Sequence, residues 1–104
     1  MQTKTGESRD SKQGARLFSL GQTVSTPGAL EALERAGHTA GEFLVRHASG
    51  DWGCLCDEDR QANDEALKQG LRLLSSYRLN DGQKLWVITE SDRSVTTLLR
   101  PDEY

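Results

Sequence analysis

Residues 71–100 constrain this chain most, because two short turns cut them into three segments of alternating polarity. In 71–79, Leu71, Leu73, Ser75, Tyr77 and Leu79 fall on one side and Arg72, Leu74, Ser76 and Arg78 on the other, the period-two signature of a β-strand. Asn80-Asp81-Gly82-Gln83 follows. Its Asp-Gly step is a strong hairpin signal, since Gly accepts the positive φ of a tight turn. Residues 84–90 are apolar on both faces, with Leu85 and Val87 opposite Trp86 and Ile88, which predicts a central strand. Ser91-Asp92-Arg93-Ser94 turns the chain again into 95–99, which is β-branched and leucine-rich, and Pro101 stops it.

The rest of the chain predicts what packs on those strands. Residues 1–14 hold no apolar side chain after Met1 and are expected to form a disordered tail. Residues 15–24 read as a first strand, with Phe18, Leu20 and Val24 on one face and Gly21 marking a bulge or a close approach. Thr26-Pro27 starts a helix and Gly37 ends it, with Ala29, Leu30, Leu33 and Ala36 as its apolar stripe. Thr39 and Glu42 form a capping-box pattern for a short helix over 40–48 that presents Phe43, Leu44 and His47. Asp57 caps a third helix over 58–69, with Ala62, Ala66 and Leu67 as its buried candidates and Asn63 beside them. The expected architecture is a single α+β domain over 15–104, in the order β-α-α-α-β-β-β. It is an antiparallel β-meander with three short helices packed on one face.

Charge and composition narrow the function classes. A formal net charge of −3 provides no basic footprint, so generic nucleic-acid binding is not expected. No apolar run approaches a membrane span and no signal-peptide core opens the chain, which places it in the cytoplasm. Cys54 and Cys56 stand one residue apart, where a bridge would be strained, and reduced thiols fit that compartment.

Five sets of residues carry candidate chemistry or binding, and each has a structural role that comes first. His47 with Cys54, Cys56 and Asp57 or Asp59 offers metal-ligand types. The second cysteine pair of a zinc site is missing, so neither metal nor cofactor is expected, and the thiols read as small hydrophobes. A Cys–His nucleophile pair lacks any sign of an oxyanion hole. Asp51, Glu90 and Asp92, with Arg93 as an anion fork and His47 nearby, are the residue types that a hydrolase or binding domain for a phosphorylated or nucleotide substrate would use. That reading needs the 50–53 loop and the 91–94 turn to lie together; otherwise Asp51 and Asp92 make turns, and Arg93 pairs with Glu90 or Asp51. Trp52, in a glycine-flanked loop, either covers the core or anchors a partner. The candidate binding face is thus Asp51, Trp52, Glu90, Asp92, Arg93 and Thr96. The run Asp57-Glu58-Asp59, with Asp64 and Glu65, is a solvated helix face or a site for a basic protein surface. A homodimer through an exposed edge strand, 15–24 or 95–99, is a further expectation.

Residues 26–30 (Thr-Pro-Gly-Ala-Leu), 50–53 (Gly-Asp-Trp-Gly), 85–99 and the closing Glu103-Tyr104 resemble a family of small bacterial proteins carried on plasmids and integrated mobile elements, often labelled plasmid-related proteins. The resemblance covers most of the chain after residue 14. It implies a genomic setting rather than a chemistry. Some members carry a type I restriction subunit label, but 104 residues leave no room for the cofactor domain and catalytic motif of a restriction methyltransferase. The expected role is that of an accessory protein that binds a host defence or restriction component, or the element's own maintenance machinery.

Overall fold

Strands β2 (Leu73–Arg78), β3 (Lys84–Thr89) and β4 (Val95–Leu99) form the expected antiparallel meander in the computed structural model, which describes residues 16–104. The tail expected over 1–14 lies outside the described residues. Gly82 takes φ +90 in the first turn, as its hairpin role requires. In the second turn Arg93 itself sits at φ +60, a left-handed conformation uncommon for a residue with a side chain.

A further strand, β1 (Gln22–Ser25), runs parallel to β4 and completes a mixed sheet of order β1-β4-β3-β2. Both the boundaries and the pairing depart from the strand expected over 15–24. Phe18 and Leu20 do not alternate along a sheet; they turn toward the helices. The Leu17 amide donates to the Ala48 carbonyl at 2.7 Å, Phe18 stacks on Trp52 and Leu20 is buried. At Gly21, φ +65, the chain passes so close to the Ser94 carbonyl that any Cβ would collide with it. The glycine marks a close approach, and the strand begins only after it.

Three helices cross one face. α1 (Pro27–Ala36) is capped by the Thr26 hydroxyl, which accepts the Ala29 amide at 3.1 Å, and Gly37 closes it at φ +75. Leu30, expected in its stripe, is 55% exposed; Ala32 is buried in its place beside Ala29 and Leu33. In α2 (Ala40–Ala48) the Glu42 carboxylate accepts the Thr39 amide at 2.8 Å, while Phe43 and His47 point inward. α3 (Asp57–Gln69) starts one residue earlier than expected and buries Asn63 and Ala66; Ala62 is exposed.

The core lies between the helices and the inner sheet face. Leu73, Ser75 and Tyr77 of β2, Leu85, Val87 and Thr89 of β3, and Thr96 and Leu98 of β4 are all buried there. Tyr77, Leu85, Val87 and Leu98 pack against Ala29, Ala32, Leu33 and Phe43, and Leu73 joins Trp52 and Ala66. Burying each large apolar side chain contributes roughly 1.5–3 kcal/mol. On the outer face Leu74, Ile88, Thr97 and Val24 stand in one cross-strand row. A single turn of 3₁₀ helix, Pro101–Glu103, brings Tyr104 edge-on to Trp86 with ring centroids 5.5 Å apart.

Candidate functional site

A chain of hydroxyls and one imidazole crosses the interior beneath the helices. His47 Nδ1 lies 2.6 Å from Ser75 Oγ and Nε2 lies 2.9 Å from Thr89 Oγ1. Thr89 Oγ1 is 2.7 Å from Thr96 Oγ1, whose hydroxyl donates to the Leu20 carbonyl at 2.7 Å. That last carbonyl can only accept, and this orders the protons along the chain. Thr96 donates to Leu20, so it accepts from Thr89. Thr89 therefore accepts from His47 Nε2–H, and Nδ1 is left to accept from Ser75. His47 is the neutral Nε2–H tautomer, and every member is paired. Burial first, and the nearby Arg93 charge second, pull its pKa down to about 4.

His47, Ser75, Thr89 and Thr96 have no solvent exposure, so no substrate reaches this chain in the closed fold. It ties α2 to β2, β3 and β4 through side chains alone. Phe18 meets the imidazole edge-on at 5.3 Å and Trp52 does so at 5.7 Å, closing it from outside. Thr96 was expected on a binding face and is instead interior, because its register with Thr89 points it at the helices. Trp52 is likewise a core residue, 4% exposed, with its indole N–H donated to Asp64 Oδ1 at 3.0 Å.

The polar residues expected to act as one group occupy two stations. At the first, Arg46 Nε donates to Asp51 Oδ2 at 2.7 Å, and the guanidinium lies 4.6 Å over the Tyr77 ring. Asp51 Oδ1 accepts the Gly53 amide, and the Tyr77 hydroxyl donates to the Asp51 carbonyl at 2.6 Å. Burial alone would raise the Asp51 pKa, but the Arg46 and Gly53 hydrogen bonds hold it below the usual carboxylate range. Burial pushes the Tyr77 hydroxyl well above its ordinary pKa.

The second station is the β3–β4 turn. One Arg93 nitrogen donates to the Leu71 carbonyl at 2.7 Å and the Glu90 carbonyl at 3.1 Å, with the guanidinium 5.5 Å from the Phe18 ring. The Glu90 carboxylate meets Arg72 at 3.4 Å, and Arg72 also donates to the Tyr104 hydroxyl. Asp92 accepts from the Ser94 hydroxyl and amide, which lower its pKa. The expected Arg93 pairing with the carboxylate of Glu90 or Asp51 is replaced by a clamp on backbone carbonyls. Among the described residues Asp51 and Arg93 share no hydrogen-bond partner. The first station lies beside Ser76 and Tyr77, the second beside Leu71 and Arg72, so the two sit at different heights along β2 and its lead-in. The geometry does not assemble the phosphoester site that the sequence allowed.

Tyr77, Arg46, Asn63 and Glu103 were not singled out as site residues. Asn63 gave the best signal, an amide side chain on the apolar side of a polar helix. It donates to the Leu74 carbonyl and accepts the Leu74 amide at 3.2 Å, so α3 bonds the outer edge of β2 as a strand would. Glu103 clasps the start of α1, accepting from the Thr26 hydroxyl at 2.6 Å, the Gly28 amide at 3.2 Å and the Arg100 amide at 2.8 Å. A Cβ at Gly28 would overlap the Glu103 carboxylate, so a larger residue there would push that side chain aside.

Outside these stations the start of α3 carries three consecutive acidic residues. Asp57, Glu58 and Asp59 are exposed, and no ion pair among the described residues involves them. Arg60, on the same helix, is drawn back onto the Gly53 and Leu55 carbonyls. Cys54 and Cys56, expected as buried or half-buried small hydrophobes, are instead both exposed free thiols. Among the described residues no helix is long and apolar enough to cross a membrane, and no group of three or more His, Cys, Asp or Glu is placed to hold a metal. No protein-family model matches the chain, and no curated protein or solved structure matches it significantly.

Proposed function

We propose that this is a small cytoplasmic accessory protein of mobile genetic elements that acts by binding another protein, a host defence or restriction component with a basic surface. The observation that carries the reading is the acidic start of α3. Its carboxylates face solvent, whereas Asp51, Glu90, Asp92 and Arg93 are engaged within the fold. Opposite charge on a partner speeds encounter and fixes register, and it makes binding salt-dependent. α3 is also held firmly, by Asn63 on β2 and by Asp64 on Trp52, so it presents a rigid surface. The resemblance to plasmid-related proteins supplies the setting.

The test is capture from host lysate at low and high salt, with the native chain and with Asp57→Lys/Glu58→Lys/Asp59→Lys. The native chain is expected to retain a specific partner at low salt. The charge-reversed chain should lose it while keeping the same melting temperature. Capture indifferent to charge reversal would sink the reading.

A further inference from the structure

β1 is an open edge. The Gln22 amide donates to the Ser94 carbonyl at 2.9 Å and the Thr26 amide to the Leu98 carbonyl at 3.0 Å. In a parallel ladder of that phase Gln22, Val24 and Thr26 face β4, so the N–H and C=O groups of Thr23 and Ser25 point away from the sheet. Among the described residues no element pairs with them. The strand is short, at four residues, but it is neutral, with no lysine and no proline, and its Val24 is 39% exposed.

We propose that this edge pairs with a second copy of itself, antiparallel about a twofold axis at Val24. Three observations favour a second copy over a foreign strand. First, the register closes on itself. With the axis at Val24, Thr23 faces Ser25 of the other copy, and the outward groups of both residues in both copies satisfy one another. Second, the chain is acidic overall at −3, but the edge is uncharged, so self-pairing brings no like charges together. Third, Val24 lies on the outer face as a non-hydrogen-bonded pair with its mate, the closer of the two antiparallel geometries. The row Leu74, Ile88, Thr97, Val24 then continues into the same row of the second copy. With only four residues in the ladder the interface is small and the dimer weak. It leaves both α3 helices free at the outer ends. At about 4.8 Å per strand, β2 and its mate stand roughly 34 Å apart, so a dimer would present two acidic helices to one partner.

The experiment is sedimentation of the full chain over a micromolar-to-millimolar series, together with amide hydrogen exchange. A reversible dimer is expected, with Thr23 and Ser25 amides becoming protected as concentration rises. Val24→Lys sets two like charges face to face at the axis, and Thr23→Pro removes an outward donor that β4 does not use. Each should give a monomer with native melting behaviour, and either one suffices if the other misfolds. A chain that stays monomeric at millimolar concentration overturns the proposal. So does a dimer that survives Val24→Lys, since it must use another surface.

Discussion

β1 and β2 close the sheet at opposite sides, and each turns alternate backbone groups away from its neighbouring strand. On β2 those of Leu74 and Ser76 are taken. Asn63 holds both backbone groups of Leu74, the Trp52 carbonyl accepts the Ser76 amide at 3.1 Å, and the Cys54 amide donates to the Ser76 carbonyl at 2.6 Å. On β1 no described residue takes them. The difference lies in what precedes each strand. β2 follows the 50–56 loop and α3, which double back along it, whereas β1 is approached through Gly21 from beneath the sheet and leaves at once into α1. A covered edge resists unplanned pairing, and an open one invites it.

The largest expected effect breaks the covered edge. Ser76→Pro deletes the amide that bonds Trp52, leaves that carbonyl unpaired and should cost roughly 1–3 kcal/mol. Urea unfolding would measure it. A loss under 1 kcal/mol would mean that the Trp52–Cys54 loop does not hold β2.

The buried chain of His47 ties β2 to β3 and β4 from within, and pH probes it. Above pH 6.5 the imidazole is neutral both folded and unfolded. Below that value the unfolded chain takes a proton that the folded one refuses until about pH 4. The unfolded state therefore binds more protons in this window, and stability falls as pH falls through it, by about 3 kcal/mol in all at about 1.4 kcal/mol per pH unit. His47→Gln should be less stable than the native chain at pH 7, by roughly 1–3 kcal/mol for strained or unmade buried hydrogen bonds. That gap should narrow toward pH 4. Stability curves of the two proteins that stay parallel from pH 7 to pH 4 would contradict the neutral, enclosed imidazole. The depressed carboxylates Glu42, Asp51, Asp92 and Glu103 begin to lose their contribution below about pH 5, but both proteins carry them, so they cancel in the comparison.

Asp64→Ala sharpens the comparison by loosening the cover without touching β2. It leaves the Trp52 indole N–H without its acceptor, for about 1 kcal/mol. The tryptophan emission should shift to the red as the ring gains water, and unchanged emission would show that the indole does not depend on Asp64.

How much of this was legible in the residues follows the range of the interactions. The meander and its turns were readable because a two-residue period and an Asp-Gly step act locally. The caps at Thr26 and Thr39 were readable for the same reason. β1 was misplaced because Phe18 and Leu20 have strand-like spacing but find partners in α2 and the 50–53 loop, far along the chain. The parallel pairing of β1 with β4 also depends on that distant packing. The candidate site divided because spacing brings Glu90, Asp92 and Arg93 together but says nothing of where Asp51 meets β2. His47 was noticed as a polar residue on an apolar helix face. Its partners Ser75 and Thr89 looked like ordinary strand residues until the register set them opposite it.

The smallest effect tests the open edge directly. Thr23→Pro removes an outward amide just as Ser76→Pro does, but here the amide has no acceptor among the described residues. Proline fixes φ near −65°, within reach of an extended edge residue, and it biases Gln22 toward the extended backbone it already has. The loss of monomer stability should therefore stay within about 0.5 kcal/mol, as for a surface substitution. Measured at low concentration in the same urea titration, the two prolines form a matched pair. Equal losses would mean that the β1 amides are bonded in the monomer and that the two edges are alike after all. A large loss at Ser76 with almost none at Thr23 would leave β1 as the side on which this sheet can still grow.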